Sequence, residues 1–128
     1  MNGLVEGHRT HYCELFGVTV IQSMLSWLDN TEVQFCASKC LALLASKHEA
    51  NQTFLVSGGC ATALYMALHS CCRDLKNPVT VASILVACST LCDNHPNNRI
   101  AFGAQTSLLK LTIGLVVKDC EMVSAVIL

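Results

Sequence analysis

Nine cysteines and five histidines are the residues of this 128-residue chain whose types could support metal or thiol chemistry. Cys36 and Cys40 lie four residues apart, as do Cys88 and Cys92, so each pair shares one face of a helix. His95 follows Cys92 by three residues, which completes a conceivable zinc-binding set. Both pairs nevertheless lie inside apolar helical patterns, where a free thiol behaves as a small hydrophobic side chain. We therefore expect packing thiols, with no bound metal and no cofactor.

Other residue patterns in the chain are weaker evidence for a metal, phosphate or catalytic site. His8 and His11 lie three residues apart near the start of the chain, a spacing that is common on surface helices without any bound metal. Gly58 and Gly59 follow no predicted strand, and the Lys-Ser/Thr pair of a phosphate-binding loop is absent. No local motif marks a nucleophile with its base. The sequence therefore predicts a protein that is not an enzyme, and a metal- or thiol-dependent activity of the cysteines stays open as an alternative.

Composition narrows the class of protein and its environment. The chain is 52% hydrophobic and 13% charged with a net charge of −1, which excludes intrinsic disorder and indicates no nucleic-acid partner. An odd number of cysteines and the absence of a signal-peptide pattern predict a reducing intracellular location, cytoplasmic or nuclear. Residues 51–72 contain no Asp, Glu, Lys or Arg. Because that stretch is broken by Gly58-Gly59 and contains His69, we expect no membrane insertion.

These residues must be positioned by helices, and the helices recur along the chain. Gly17, Gly59 and Gly103 are separated by 42 and 44 residues. Each is followed by an apolar helical pattern, a polar break and a second apolar pattern. The breaks fall at residues 29–32, 73–78 and 118–119, and the second contains Pro78 after Asn77, a typical helix start. The pattern predicts three helical repeats.

The junction between the first two repeats resembles that of the armadillo family, in which a small-residue helix ends, an Asn opens a short helix, and a Gly precedes the next helix. The matching residues are Ala37, Leu41, Leu44, Asn51, Gly59 and Leu64, and a second, shorter match comprises Asn98, Arg99, Ile100, Gly103 and Leu108. The resemblance implies an all-α fold, a right-handed α-solenoid of about three armadillo-like repeats. We expect one domain over residues 1–128, with repeats at about 8–48, 49–93 and 94–128, as a whole or as part of a longer solenoid.

The resemblance also implies a non-catalytic scaffold that presents a helical-repeat surface to a protein partner, either a helix or an extended peptide. In family members a recurrent Asn on the third helices clamps the peptide backbone. Leu43 and Thr90 occupy the matching positions here, so that clamp is missing. The candidate partner-binding residues are Trp27, Lys39, Leu43, Lys47, Tyr65 and Thr90.

The two ends of a solenoid must be covered or they associate. Near the start of the chain, Glu6, His8, Arg9, His11 and Glu14 predict a polar covering. The last residues are apolar instead, and they predict a self-association edge at Met122, Val123, Val126 and Ile127. A homo-oligomer formed through this edge, and with it a self-associating structural module, is the alternative function.

Overall fold

A computed structural model shows that the described part of the chain is all-helical, as the sequence predicts. The structure describes residues 2–74 and 77–105, and the side chains of residues 7–73 and 77–105. The helices are α1 (Asn2–Ser26), α2 (Thr31–Ala45), α3 (Glu49–Ser57), α4 (Cys60–Asp74), α5 (Pro78–Cys92) and α6 (Pro96–Gly103).

The two central helices begin where the polar breaks of the sequence predict. Asn30 precedes α2, and its side-chain oxygen accepts a hydrogen bond from the backbone N–H of Val33 at 3.1 Å. This bond satisfies one of the amides that a helix start leaves without a partner. Asn77 and Pro78 begin α5. Since Pro has no N–H to satisfy and a φ suited to a helix, it fits that first turn.

The short helices α3 and α6 begin at histidines, His48 and His95, rather than at asparagines. The Nδ1 atoms of His48 and His95 accept hydrogen bonds from the backbone N–H groups of Asn51 and Asn98, both at 3.1 Å. Both imidazoles are buried. The expectation that Asn51 opens the short helix is therefore wrong, because Asn51 lies inside α3 and the imidazole of His48 takes the capping position.

The two asparagines instead fasten each short helix to the helices before it. Asn51 Nδ2 donates to the carbonyl oxygens of Leu44 and Arg9, at 2.8 and 3.3 Å. Asn98 Nδ2 donates to the carbonyl oxygens of Leu91 and Gln52, at 2.8 and 3.0 Å. The bonds to Leu44 and Leu91 satisfy carbonyls at the ends of α2 and α5 that have no partner within their own helix, and the bonds to Arg9 and Gln52 tie the short helices to α1 and α3.

A second set of bonds repeats across the same two junctions. The guanidinium of Arg9 donates to the carbonyls of Leu43 and Ser46, whereas the amide of Gln52 donates to those of Thr90 and Asp93. The hydroxyl of Thr10 lies 3.2 Å from Nε2 of His48, and that of Thr53 lies 2.7 Å from Nε2 of His95. Arg9 and Thr10 of α1 thus correspond to Gln52 and Thr53 of α3, which lie 43 residues further along the chain. The spacing is 47 residues between α2 and α5, as from Leu43 to Thr90, and between α3 and α6, as from Asn51 to Asn98.

Packing follows this correspondence. Helix α2 packs along α5, α1 packs on α2, α3 and α4, and α6 packs on α3 and α5. The core between them is formed by fully buried aliphatic side chains, the largest being Met24, Leu41, Leu55, Leu64, Leu68, Ile84 and Leu91. Burying each such side chain contributes about 1.5–3 kcal/mol.

The glycines at the predicted repeat starts have different roles. Gly59 adopts φ +95° between α3 and α4, so it forms the turn that the sequence predicts. Gly17 does not begin a helix, and that expectation is wrong because α1 runs without a break from Asn2 to Ser26. A Cβ atom at Gly17 would lie 2.9 Å from Cδ2 of Leu55, so glycine there permits α3 to approach α1 closely.

Among the described residues, no single helix is both long and apolar enough to cross a membrane. The pair Glu49–Ser57 and Cys60–Arg73, which is bent by 72°, meets that length and composition only when the two helices are taken together.

Candidate functional site

The neighbouring helices α2 and α5 share an exposed surface, which we call the α2–α5 face. It comprises Cys36, Lys39 and Leu43 on α2 and Val79, Val86 and Thr90 on α5. The three large aliphatic side chains are mostly exposed, Leu43 by 68%, Val79 by 66% and Val86 by 57%. On each helix these residues lie along one stripe, because neighbouring members are three, four or seven residues apart.

A groove of about 280 Å³ lies between the first halves of the two helices. Its walls are Thr31, Glu32, Phe35 and Cys36 on one side and Asn77, Val79 and Thr80 on the other. The hydroxyls of Ser38 and Ser83 join the helices behind it at 2.7 Å. The ammonium of Lys39 lies 5.7 Å from the centre of the Phe35 ring, a cation–π distance. The groove is therefore mainly apolar, with one acidic and one basic side chain beside it.

Trp27 lies next to this groove, at the turn between α1 and α2. Its side chain is 60% exposed and borders a shallow depression of about 810 Å³, whose walls include Thr31 and Glu32 of the groove. The backbone is fixed here, because Gln34 Nε2 donates to the carbonyls of Trp27 and Met24 at 2.7 and 3.1 Å. An exposed indole beside an apolar groove is a typical anchor for a protein partner.

Three of the predicted surface residues lie together on the α2–α5 face, and another is buried in the core. Lys39, Leu43 and Thr90 lie on the α2–α5 face, and Lys47 is exposed at the turn after α2, where its φ is +51°. The assignment of Tyr65 to the surface is wrong, because its side chain is only 6% exposed. Its hydroxyl donates to the carbonyl of Phe102 at 3.0 Å, and the two rings meet edge to face. Burial raises the pKa of Tyr65 to about 12.

Four members of the site were not foreseen, namely Phe35, Cys36, Val79 and Val86. Helix α5 is apolar on almost every side (PVTVASILVACSTLC), so its sequence gives little indication of which stripe is covered. The expectation that Cys36 is a packing thiol is wrong, because its side chain is exposed, whereas the neighbouring Ala37 is buried. The predicted self-association residues Met122, Val123, Val126 and Ile127 lie outside the described residues.

The thiols do not form a reactive centre in the described part of the chain. Eight free cysteines lie there, and burial raises the pKa of Cys13 and of Cys72 to about 11 and that of Cys88 to about 12. Cys71 and Cys72 are adjacent in α4 and are both buried, because α4 packs on both α1 and α5. No three His, Cys, Asp or Glu side chains among the described residues come together in a geometry that could hold a metal ion.

Comparison with models of known protein families, with curated proteins and with solved structures gives no match to this chain. Its function must therefore be inferred from its own residues and contacts.

Proposed function

We propose that this chain is an armadillo-like α-solenoid that binds a protein partner on the α2–α5 face without catalysing a reaction. The repeated junctions support the solenoid, because the same side-chain bonds recur after 43 and 47 residues, close to the period of armadillo and HEAT repeats. The repeats would span about residues 8–48, 49–93 and 94–128. The abundance of free thiols supports a reducing intracellular compartment.

The exposed apolar side chains of the α2–α5 face carry the functional part of the proposal. Leu43, Val79 and Val86 are each more than half exposed, and together they line two adjacent helices. Val79 is also a wall of the groove, and exposed apolar surface beside a groove is typical of a binding site, whereas isolated exposed apolar residues are ordinary. Trp27 adds an aromatic anchor at one end of the groove.

The chemistry of the face favours an amphipathic helix as the partner. Leu43 and Thr90 offer no side-chain amide to clamp an extended backbone, so affinity must come from side chains that enter the groove. A helix supplies apolar residues at intervals of three, four and seven positions, which suits an apolar groove between two helices. Lys39 beside the groove favours an acidic residue on the partner's flank. An extended peptide is the alternative occupant.

Catalysis by the hydroxyl–imidazole pairs is disfavoured by their hydrogen bonds. Thr53 and His95 lie 2.7 Å apart, close enough for a nucleophile and its base. However, Nδ1 of His95 accepts the N–H of Asn98, so the proton of the neutral ring lies on Nε2 and points to the hydroxyl. The imidazole then donates to Thr53 and has no lone pair there to take its proton. Thr10 and His48 share this arrangement.

The test compares partners bound by the parent protein with those bound by surface variants. Leu43→Glu plus Val86→Glu places two charges on the face without disturbing the core. Ile100→Glu is the matched control, because Ile100 is 71% exposed on α6, away from this face. We expect a partner retained by the parent and the control to be lost by the double variant. A synthetic peptide of the partner's binding segment should likewise bind the parent and the control but not the double variant. The circular dichroism spectrum of the peptide should show that it becomes helical on binding. Identical binding by all three proteins would contradict the proposal.

A further inference from the structure

Helices α2 and α5 carry little charge, and that charge is divided along the groove. In the two helices only Glu32 and Lys39 are charged. Both side chains are exposed, and Glu32 is also a wall of the groove. They lie seven residues apart on α2, so they share one side of that helix and are about 10 Å apart along its axis. The α2–α5 face therefore has an acidic end and a basic end.

The acidic end contains a second carboxylate and the exposed indole. Asp29 lines the depression beside Trp27 together with Glu32, and its side chain is 89% exposed. The guanidinium of Arg73 lies 3.7 Å from Oδ1 of Asp29, but none of the described residues that line the depression is basic. A cationic side chain placed there would meet two carboxylates and an indole ring, all of which attract it.

Helices α2 and α5 run parallel, with their N-termini at this acidic end. The first turns of both helices line the same groove, for example through Thr31 on α2 and Thr80 on α5. Further along, Ser38 of α2 bonds Ser83 of α5, so the contact advances in the same direction on both helices. The two helix dipoles therefore place partial positive charge at the acidic end. A partner helix antiparallel to both would bring its own negative C-terminal end there.

We propose that the partner is an amphipathic helix that lies antiparallel to α2 and α5 and carries an acidic residue followed seven positions later by a basic one. The acidic residue pairs with Lys39, and the basic residue enters the depression beside Trp27 and Glu32. This order also suits the partner helix by itself. Acidic side chains stabilise the N-terminal end of a helix, and basic side chains stabilise its C-terminal end.

The experiment uses two synthetic helical peptides that differ only in charge. Both carry the same apolar residues at intervals of three and four positions, and neither contains Trp. The charged peptide has Glu followed seven positions later by Lys on one flank, whereas the neutral peptide has Gln at both positions. Trp27 is the only Trp of the chain, so its fluorescence reports binding directly. We expect the parent protein to bind the charged peptide about fivefold more tightly, as two exposed ion pairs allow.

Single substitutions assign this preference to the two ends of the groove. Glu32→Gln and Lys39→Gln should each reduce the preference for the charged peptide and leave binding of the neutral peptide unchanged. Glu49→Gln is the matched control, because Glu49 is likewise exposed in the first turn of a helix, α3, outside the α2–α5 face. The control should keep the full preference. Equal binding of the two peptides by the parent, or a preference that survives either substitution, would overturn the proposal.

A nitroxide label on the charged peptide tests its direction, because a nitroxide quenches indole fluorescence only at short range. A label at the C-terminal end of the peptide should quench Trp27 strongly. A label at the N-terminal end, which would lie near Lys39, should quench it weakly. The reverse pattern would show a parallel helix and would refute the proposed direction.

Failure of this inference can be told apart from failure of the proposed function. The inference rests on that function, because it assumes that a helix occupies the α2–α5 face. Leu43→Glu plus Val86→Glu should weaken binding of both peptides. Binding that this double variant loses but that shows no charge preference would refute the charge pattern alone. Binding that the double variant retains would contradict both proposals, and absence of binding to the parent would overturn this inference.

Discussion

Replacing Asn98 tests the bonds that fasten α6 to α3 and α5. Its side chain is buried, and Nδ2 donates to the carbonyls of Leu91 and Gln52 at 2.8 and 3.0 Å. Asn98→Ala leaves the carbonyl of Leu91, near the end of α5, without a donor, which costs about 1–3 kcal/mol, and it also removes the bond to Gln52, whose carbonyl lies inside α3, for about 0.5–1.5 kcal/mol more. We therefore expect the free energy of unfolding to fall by about 1.5–4.5 kcal/mol. That is a large fraction of the roughly 5–15 kcal/mol typical of a domain.

The adjacent Asn97 provides a matched control, because it is exposed on the same turn of α6. Asn97→Ala should change stability by no more than about 0.5 kcal/mol. Asn98→Asp keeps the shape of the side chain but turns its donor into a second acceptor opposite both carbonyls. It should be at least as destabilising as alanine.

Urea unfolding followed by circular dichroism measures all three variants on one scale. Equal stability of Asn98→Ala and Asn97→Ala would refute the assignment of Asn98 as the residue that fastens α6. A loss confined to Asn98→Asp would show that the site tolerates the missing bonds and excludes only the charge.

Three further outcomes are expected. Leu41→Asp should unfold the chain, because Leu41 is fully buried. Leu43→Asp, at a mostly exposed position, should leave the melting temperature within a few degrees of the parent's. Equal melting temperatures of the two variants would show that the inward face of α2 is misassigned. Stability should fall above pH 9, because thiols of the unfolded chain ionise near their ordinary pKa of 9.0 while burial raises the pKa of Cys13 and of Cys72 to about 11. Each of these two thiols contributes up to about 1.4 kcal/mol per pH unit between those pKa values. Urea unfolding at pH 8, 9 and 10 checks this, and a flat profile would contradict it. Among the eight described cysteines, exposed Cys36 should react first with a thiol reagent, and Cys36→Ser should remove that fast phase.

The sequence predicted the all-helical fold and the start of its central helices, since those depend on local signals. Asn30 caps a helix through its own side chain, and Pro78 fits only a first turn. The buried stripe of Leu64, Leu68 and Cys71 on α4 also follows from helical spacing alone.

Features that depend on contacts between helices distant in sequence could not be predicted from such local signals. Glycine is required at position 17 because a Cβ atom there would lie 2.9 Å from Cδ2 of Leu55, a contact that no local pattern around Gly17 predicts. His48 and His95 cap their helices through Nδ1, whereas their Nε2 atoms bond Thr10 and Thr53, which are distant in sequence. Tyr65 has the amphipathic side chain of a typical interface residue. Its burial depends on Phe102, which lies 37 residues further along the chain.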